Sequence, residues 1–288
     1  MSTGRAVHNY RMQTNALHLR FSFFCFPFLR SLLAAFLAAG LVAGCGRPRE
    51  SLTLAGSTAF QPFAEKLADE YMNRNPGVVV TIQGGGSALG IQSALSGTAQ
   101  IGMADLVKLP PEADGLRHVI VARDGIAVVV HPDNPVTNLT LVQVRGLFSG
   151  TLRNWREVGG ADHAVAVVSR EAGSGTRSSF EEIVGGVDLS GDALIQDSNG
   201  AIRETVANDA HAVGYLSHGL VNSRIKLVTI DGASGTEADI LAGRYALVRP
   251  IFLVHRDTLS PAGKAFLDYL LSPPAQAMLA ASGLIRAR

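Results

Sequence analysis

From Leu52 onward, short apolar runs alternate with segments whose apolar residues recur every third or fourth position. LTLA (Leu52 to Ala55) reads as a strand. QPFAEKLADEYMNR then sets Phe63, Leu67 and Tyr71 four apart behind Pro62, a helix with proline in its first turn. VVVTIQ (Val78 to Gln83) is β-branched and predicts a second strand. GGGS follows it, then a helical stretch carrying Leu89 and Leu95, and then a third strand at IGMA (Ile101 to Ala104). This order predicts parallel α/β units.

GIAVVVHPDNP (Gly125 to Pro135) is an apolar strand ending in two prolines, which reads as a crossing between lobes. The alternation then restarts. A helix is expected at Thr140 to Phe148, a strand at Ala164 to Ser169, helices from about Thr176 and after Asn199, and strands near AVGYL and IKLVTI. A polar loop spans Asp231 to Ala238. RPIFLVHRD reads as a return crossing, and the helices at Pro261 to Leu271 and Pro274 to Ser282 pack back on the first lobe. The expected division is lobe 1 at 51–130, lobe 2 at 131–247 and a return to lobe 1 at 248–288, with no fixed-period repeat.

The first 44 residues do not fit this pattern. They carry Arg5, Arg11, Arg20 and Arg30, no acidic residue, and the apolar run SLLAAFLAAGLVAG from Ser31 to Gly44. Those 14 residues fall short of the roughly 20 a spanning helix needs, so the segment reads as an export signal. Val42-Ala43-Gly44-Cys45 resembles the bacterial lipobox, which implies cleavage before Cys45, a lipid on its sulfur, and a short linker at 45–50. Cys25 would leave with the signal, so no thiol remains for a disulfide or metal site. The loss of four arginines takes the formal charge from +1 to −3. This is the wrong sign for a nucleic-acid groove, and it requires any bound anion to be held by local groups.

Three loops supply such groups. AGSTAF (Ala55 to Phe60), QGGGSALG (Gln83 to Gly90) and EAGSGTR (Glu171 to Arg177) each follow a strand and open a helix. A helix start has unpaired N–H groups and partial positive charge; glycines admit a ligand to the backbone and hydroxyls add donors. One such loop is an ordinary cap, but three, with Arg170 beside one, favour an anion site. Ser174 as a hydrolase nucleophile would need G-x-S-x-G, whereas Ala172 to Thr176 reads A-G-S-G-T, and none of His131, His163, His211, His218 or His255 stands in a triad context. His211 and His218 are interrupted by Gly214, which argues against a shared metal face. Asp105, ending IGMAD, is a carboxylate where an anion is expected.

AGSTAFQP, VVVTIQGGGSALGIQSALSGTAQIGMAD, NPVTNLTLVQVRGLFSGTLRNW, SREAGSGTRSSFEE and AVGYLSHG together resemble the phosphate-binding subunits (PstS family) of bacterial phosphate ABC transporters. The resemblance runs from about Leu52 to the C-terminus. It implies an α/β, two-lobed periplasmic-binding-protein fold of the second type, with a cleft that closes on inorganic phosphate and no catalysis, cofactor or metal. Carried over, the site residues are Ser57, Thr58 and the Ala59 amide, Ser87, Asp105, Arg170, Ser174, Gly175 and Thr176, with Asn199 in a loop facing the cleft. Many relatives carry Ser-Arg where this chain has Asp105-Leu106.

The implied role is a monomeric lipoprotein in the periplasm or at the cell surface that hands phosphate to an ABC permease and ATPase. Near neutral pH phosphate is mostly a dianion with one proton, and an ionised Asp105, which only accepts, can take that proton. Sulfate has none to offer and meets repulsion. The alternatives are a molybdate, tungstate or sulfate receptor on the same fold, a phosphate sensor without transport, and a secreted serine hydrolase.

Overall fold

The computed structural model describes residues 50–287; the expected signal segment and Cys45 lie outside the described residues. The first strand–helix alternation is β1 (Glu50–Gly56), α1 (Gln61–Arg74), β2 (Val78–Gly84), α2 (Ser87–Ser96) and β3 (Ile101–Asp105). β1 pairs in parallel with both β2 and β3. Next come β4 (Arg117–Val130), β5 (Asn138–Leu139), α3 (Leu141–Phe148), β6 (Ala166–Arg170), α4 (Gly175–Ile183), β7 (Leu194–Gln196), α5 (Asn199–Ala207) and β8 (Ala212–Ser217). The chain finishes with β9 (Lys226–Leu227), β10 (Thr229–Ile230), α6 (Glu237–Leu241), β11 (Val248–His255), α7 (Pro261–Leu270), α8 (Pro273–Ala281) and β12 (Ile285–Arg286).

The main sheet runs β2-β1-β3-β11-β4-β8-β6-β7. Its two ends are parallel: β1 with its neighbours at one, and β6 with β7 and β8 at the other. Its middle is antiparallel, where β11 runs against β3 and β4, and β4 against β8. The antiparallel strands are therefore the two crossings. β4 pairs with β11 through its first half and with β8 from Ile126 to Val130.

Apolar burial follows the same division. One core joins Leu52, Leu54, Phe63, Leu67 and Val121 to Ile251, Phe266 and Leu279, so the late helices α7 and α8 close the first unit. Tyr71 and Phe266 meet edge to face at 5.0 Å. A second core joins Ile126, Val128 and Val130 to Phe148, Trp155, Phe180, Tyr215 and Leu247. β4 supplies side chains to both, which explains its near-continuous apolar run.

Helix starts are set locally. Thr140, Ser174, Ser198 and Ser260 each accept a bond from a first-turn N–H, and Pro261 and Pro273 stand where no N–H is needed. Three sequence expectations shift. β4 begins at Arg117 rather than Gly125, because its polar-looking first half is covered by β11. β6 begins at Ala166, since Ala164 bridges to Asn154 instead. The polar stretch after Asp231 was expected to be a loop through Ala238, yet α6 starts inside it at Glu237. There Thr236 caps the Asp239 amide and the Asp239 carboxylate gathers Ser234 and Arg244.

Candidate functional site

The predicted loops converge where the parallel strands end. β1 turns through Gly56 (φ 133°), where an added Cβ would sit 2.2 Å from the Met103 carbonyl, so only glycine fits. Ser57 is fully buried; its amide donates to Met103 O (2.9 Å) and its hydroxyl accepts from the Phe60 amide (3.1 Å). These bonds brace the turn that presents Thr58 and Ala59. Among the described residues the amides of Thr58, Ala59, Ser87, Gly175 and Thr176 find no acceptor. They belong to three helix starts, the arrangement that favours an anion.

The second lobe approaches closely. The Ala88 amide donates to Gly173 O (3.2 Å), Asn199 Nδ2 to Thr58 Oγ1 (3.1 Å), Thr176 Oγ1 to Asp105 Oδ2 (3.0 Å), and Ser179 Oγ to Asp105 O (3.2 Å). Each bond joins the early segment to residues beyond 170, so the cleft is closed. Ser174 accepts from the Arg177 amide (3.2 Å) as the N-cap of α4, which leaves its hydroxyl proton free to donate. Nothing in that geometry activates it as a nucleophile.

Arg170, at the end of β6, is 1% exposed. Its Nε and Nη2 form a two-pronged pair with Glu171, both at 2.8 Å, and also reach the carbonyls of Gln196 and Asp197. Nη1 is buried with no partner. The pair with Glu171 therefore leaves one guanidinium nitrogen of this buried residue unspent. Arg177 is occupied by Glu181 and by the Arg170 carbonyl.

Asp105 is 2% exposed and already partnered. Ser87 Oγ donates to its Oδ1 at 2.6 Å, and Arg249 Nη1 lies 2.6 Å from its Oδ2, beside Thr176. An ionised carboxylate has about four acceptor positions, so one is left, on Oδ1. Arg249, from β11, also donates through Nη2 to Asp124 Oδ2 on β4 (2.9 Å), and Ser217 donates to Asp124 Oδ1 (2.8 Å). Burial pushes the Asp124 carboxyl above the usual carboxylate range, the Arg249 charge and the Ser217 bond oppose it, and the Asp105 charge adds to the rise.

Asp124, Ser217 and Arg249 were not anticipated. The available signal was a charged residue inside an apolar strand (RHVIVARDGIAVVV and VRPIFLVH), which must find a partner once both faces are covered. Asn199, noted in sequence as facing the cleft, bonds Thr58 and takes the Ser217 amide at 3.0 Å. A groove of about 320 Å³ lies at the cleft mouth, with Ile91, Leu106 and Leu109 facing Ala172 and Ser178, and Lys108 spanning it to Glu182 at 3.5 Å. Another, of about 630 Å³ around His118, Leu271 and Gln276, shares no residue with the cleft.

Known proteins fit this geometry. A family model described as a PBP superfamily domain matches residues 42–274. A protein from Clostridium perfringens, assigned to a phosphate ABC transporter and solved with bound phosphate, is 37% identical, covering 83% of this chain and all of that one, with a TM-score of 0.81. This chain belongs to the PstS family within the PBP superfamily. An ABC-type phosphate transport receptor from Vibrio cholerae is 36% identical over 81% of this chain and 99% of its own, with a TM-score of 0.69. Phosphate-binding protein PstS of Bacillus subtilis is 28% identical over 86% of this chain and 89% of that protein. The α/β, two-lobed periplasmic-binding-protein fold of the second type that the resemblance implied is the one found, here with a curled sheet.

Proposed function

We propose that this chain captures inorganic phosphate between its lobes and delivers it to an ABC permease. The observation that carries the reading is Arg170 Nη1, buried without a partner beside helix starts whose amides are also unspent. A buried cationic nitrogen in that state calls for an anion. Thr58, Ala59, Ser87, Ser174, Gly175 and Thr176 supply the remaining donors, Ser57 shapes their turn, and Asp105 offers one acceptor. That acceptor suits an oxyanion that still carries a proton. The phosphate-bound relative from Clostridium perfringens supports the ligand.

In this reading the lobes are 51–130 with 248–288, and 131–247, and Cys45 carries the lipid that anchors a monomer to a membrane in the periplasm or at the cell surface. The protein makes and breaks no covalent bond in its ligand; binding energy goes into lobe closure, and the closed form is what a permease recognises. Titration calorimetry of the purified mature chain with phosphate, sulfate, molybdate and tungstate tests this. Saturable binding of phosphate at one site, with sulfate much weaker, is expected; no phosphate binding would overturn it. Ser174→Ala should weaken phosphate binding without abolishing any esterase activity, and a wild-type esterase lost in that variant would instead mark Ser174 as a nucleophile.

A further inference from the structure

The buried polar groups of the cleft form a closed ring. Asp105 contacts Arg249 (2.6 Å), Arg249 donates to Asp124 (2.9 Å), and Ser217 donates to Asp124 (2.8 Å). The Ser217 amide donates to Asn199 Oδ1 (3.0 Å), Asn199 Nδ2 approaches Thr176 Oγ1 (3.5 Å), and Thr176 donates back to Asp105 (3.0 Å). Each residue in it is at most 2% exposed. The ring takes Asp105 from β3, Asp124 and Arg249 from the crossing strands β4 and β11, and the rest from β8 and the starts of α5 and α4.

We propose that Arg249 is a specificity-determining positioning residue: shared between Asp105 and Asp124, it holds the Asp105 carboxylate aimed so that its last acceptor position tests the bound oxyanion for a proton. The inference rests on the phosphate reading and adds to it the group responsible for selection. Three features lead to Arg249 rather than to the hydroxyls around it. A carboxylate removed from water needs a counter-charge to remain an acceptor, and among the described residues Arg249 is the cation within ion-pair distance of Asp105.

Ser87 and Thr176 donate to the carboxylate but are neutral, so neither balances its charge. Finally, Arg249 contacts Asp105 twice, at Oδ2 and, at 3.5 Å, at the main-chain carbonyl, which fixes the direction of the carboxylate. Without Arg249 the carboxylate loses the group that aims its last acceptor position, and with it the distinction between sulfate and phosphate.

The two carboxylates compete for the one guanidinium, which gives the test. Phosphate and sulfate affinities are measured by calorimetry for the mature chain and for Arg249→Gln, Arg249→Lys and Arg249→Lys with Asp124→Asn. The ratio of the two affinities should fall at least about tenfold in Arg249→Gln. It should also fall in Arg249→Lys, whose single ammonium cannot span both carboxylates, and recover when Asp124→Asn releases that ammonium to Asp105.

A merely structural role would weaken both anions together and leave the ratio unmoved, and that result overturns the proposal. If the glutamine variant does not fold, the lysine pair decides alone: recovery by Asp124→Asn supports the proposal, and a wild-type ratio in Arg249→Lys overturns it. Failure of the wild-type chain to bind phosphate would refute the functional reading instead, so the two failures are distinguishable.

Discussion

Gly175→Ala is a one-carbon change placed where the lobes meet. A Cβ built at Gly175 would lie 2.1 Å from Ser87 Oγ, 2.6 Å from Asp105 O and 2.8 Å from Asp105 Oδ1. Ordinary contact begins near 3.4 Å, and two of the three atoms belong to β3 and its buried carboxylate, which cannot swing aside. The α4 start must retreat by more than about 1 Å, which is enough to break the Thr176–Asp105 and Ser179–Asp105 bonds at 3.0 and 3.2 Å.

A bond to a charged group contributes about 1.5–3 kcal/mol and a neutral one about 0.5–1.5 kcal/mol. Closure then loses about 2–4.5 kcal/mol, and phosphate affinity falls about 30- to 2,000-fold. Calorimetry gives the affinity, and small-angle scattering with and without phosphate reads the closure. Gly173→Ala, two residues earlier, is the control: its Cβ would meet only the Ala88 Cβ at 3.7 Å, and binding should be nearly unchanged. Phosphate affinity within about threefold of wild type in Gly175→Ala would refute the closed geometry.

Asp105→Asn replaces an acceptor with a group that also donates, so sulfate should gain on phosphate in competition binding; unchanged discrimination would count against the role of the carboxylate. Asp124, held above its usual value by burial, keeps its proton longer in the folded than in the unfolded state. The stability this gives is complete below about pH 4 and is lost as pH rises through the raised value. The melting temperature of Asp124→Asn should therefore gain more on wild type at pH 8 than at pH 4, and an equal gain at both would refute the assignment. Phosphate affinity should change little between low and high salt, because the contacting groups are buried and the Debye screening that weakens surface pairs does not reach them; a steep salt dependence would place the anion at an exposed site.

The three glycine-serine loops were legible because each is written locally: a β-rich run, then Gly and Ser or Thr, then an apolar helical period. Ser57, Ser87 and Ser174 could be placed on them from spacing alone. The crossings were legible in part, since GIAVVV and RPIFLVH are apolar enough to need cover on both faces. What could not be read was the pairing among buried charges. Asp124 and Arg249 are 125 positions apart, and Arg249 meets the Asp105 carbonyl across 144. Each reads in sequence as a charge interrupting a strand, and only the sheet order, with β11 lying between β3 and β4, makes them neighbours. The start of α6 was missed for a different reason. At five residues the helix is too short to show an apolar period, and the cap at Thr236 together with the Arg244–Asp239 pair marks its start.

The ionic groups of the cleft nearly cancel. Arg170 is matched by Glu171, and Arg249 faces both Asp105 and Asp124, so with every group ionised the cluster is negative rather than positive. Net charge therefore cannot be what draws and holds an anion here. In the proposed site the holding falls to unspent amides at three helix starts and to Arg170 Nη1, short-range donors that act only on an oxyanion seated among them. A site built this way discriminates by counting donors against acceptors: an oxyanion offering only acceptors leaves Asp105 Oδ1 facing another negative oxygen, whereas one that carries a proton satisfies it. In the proposed reading, the carboxylates that make the cleft electrostatically poor for anions in general are the same groups that make it selective for one that is protonated.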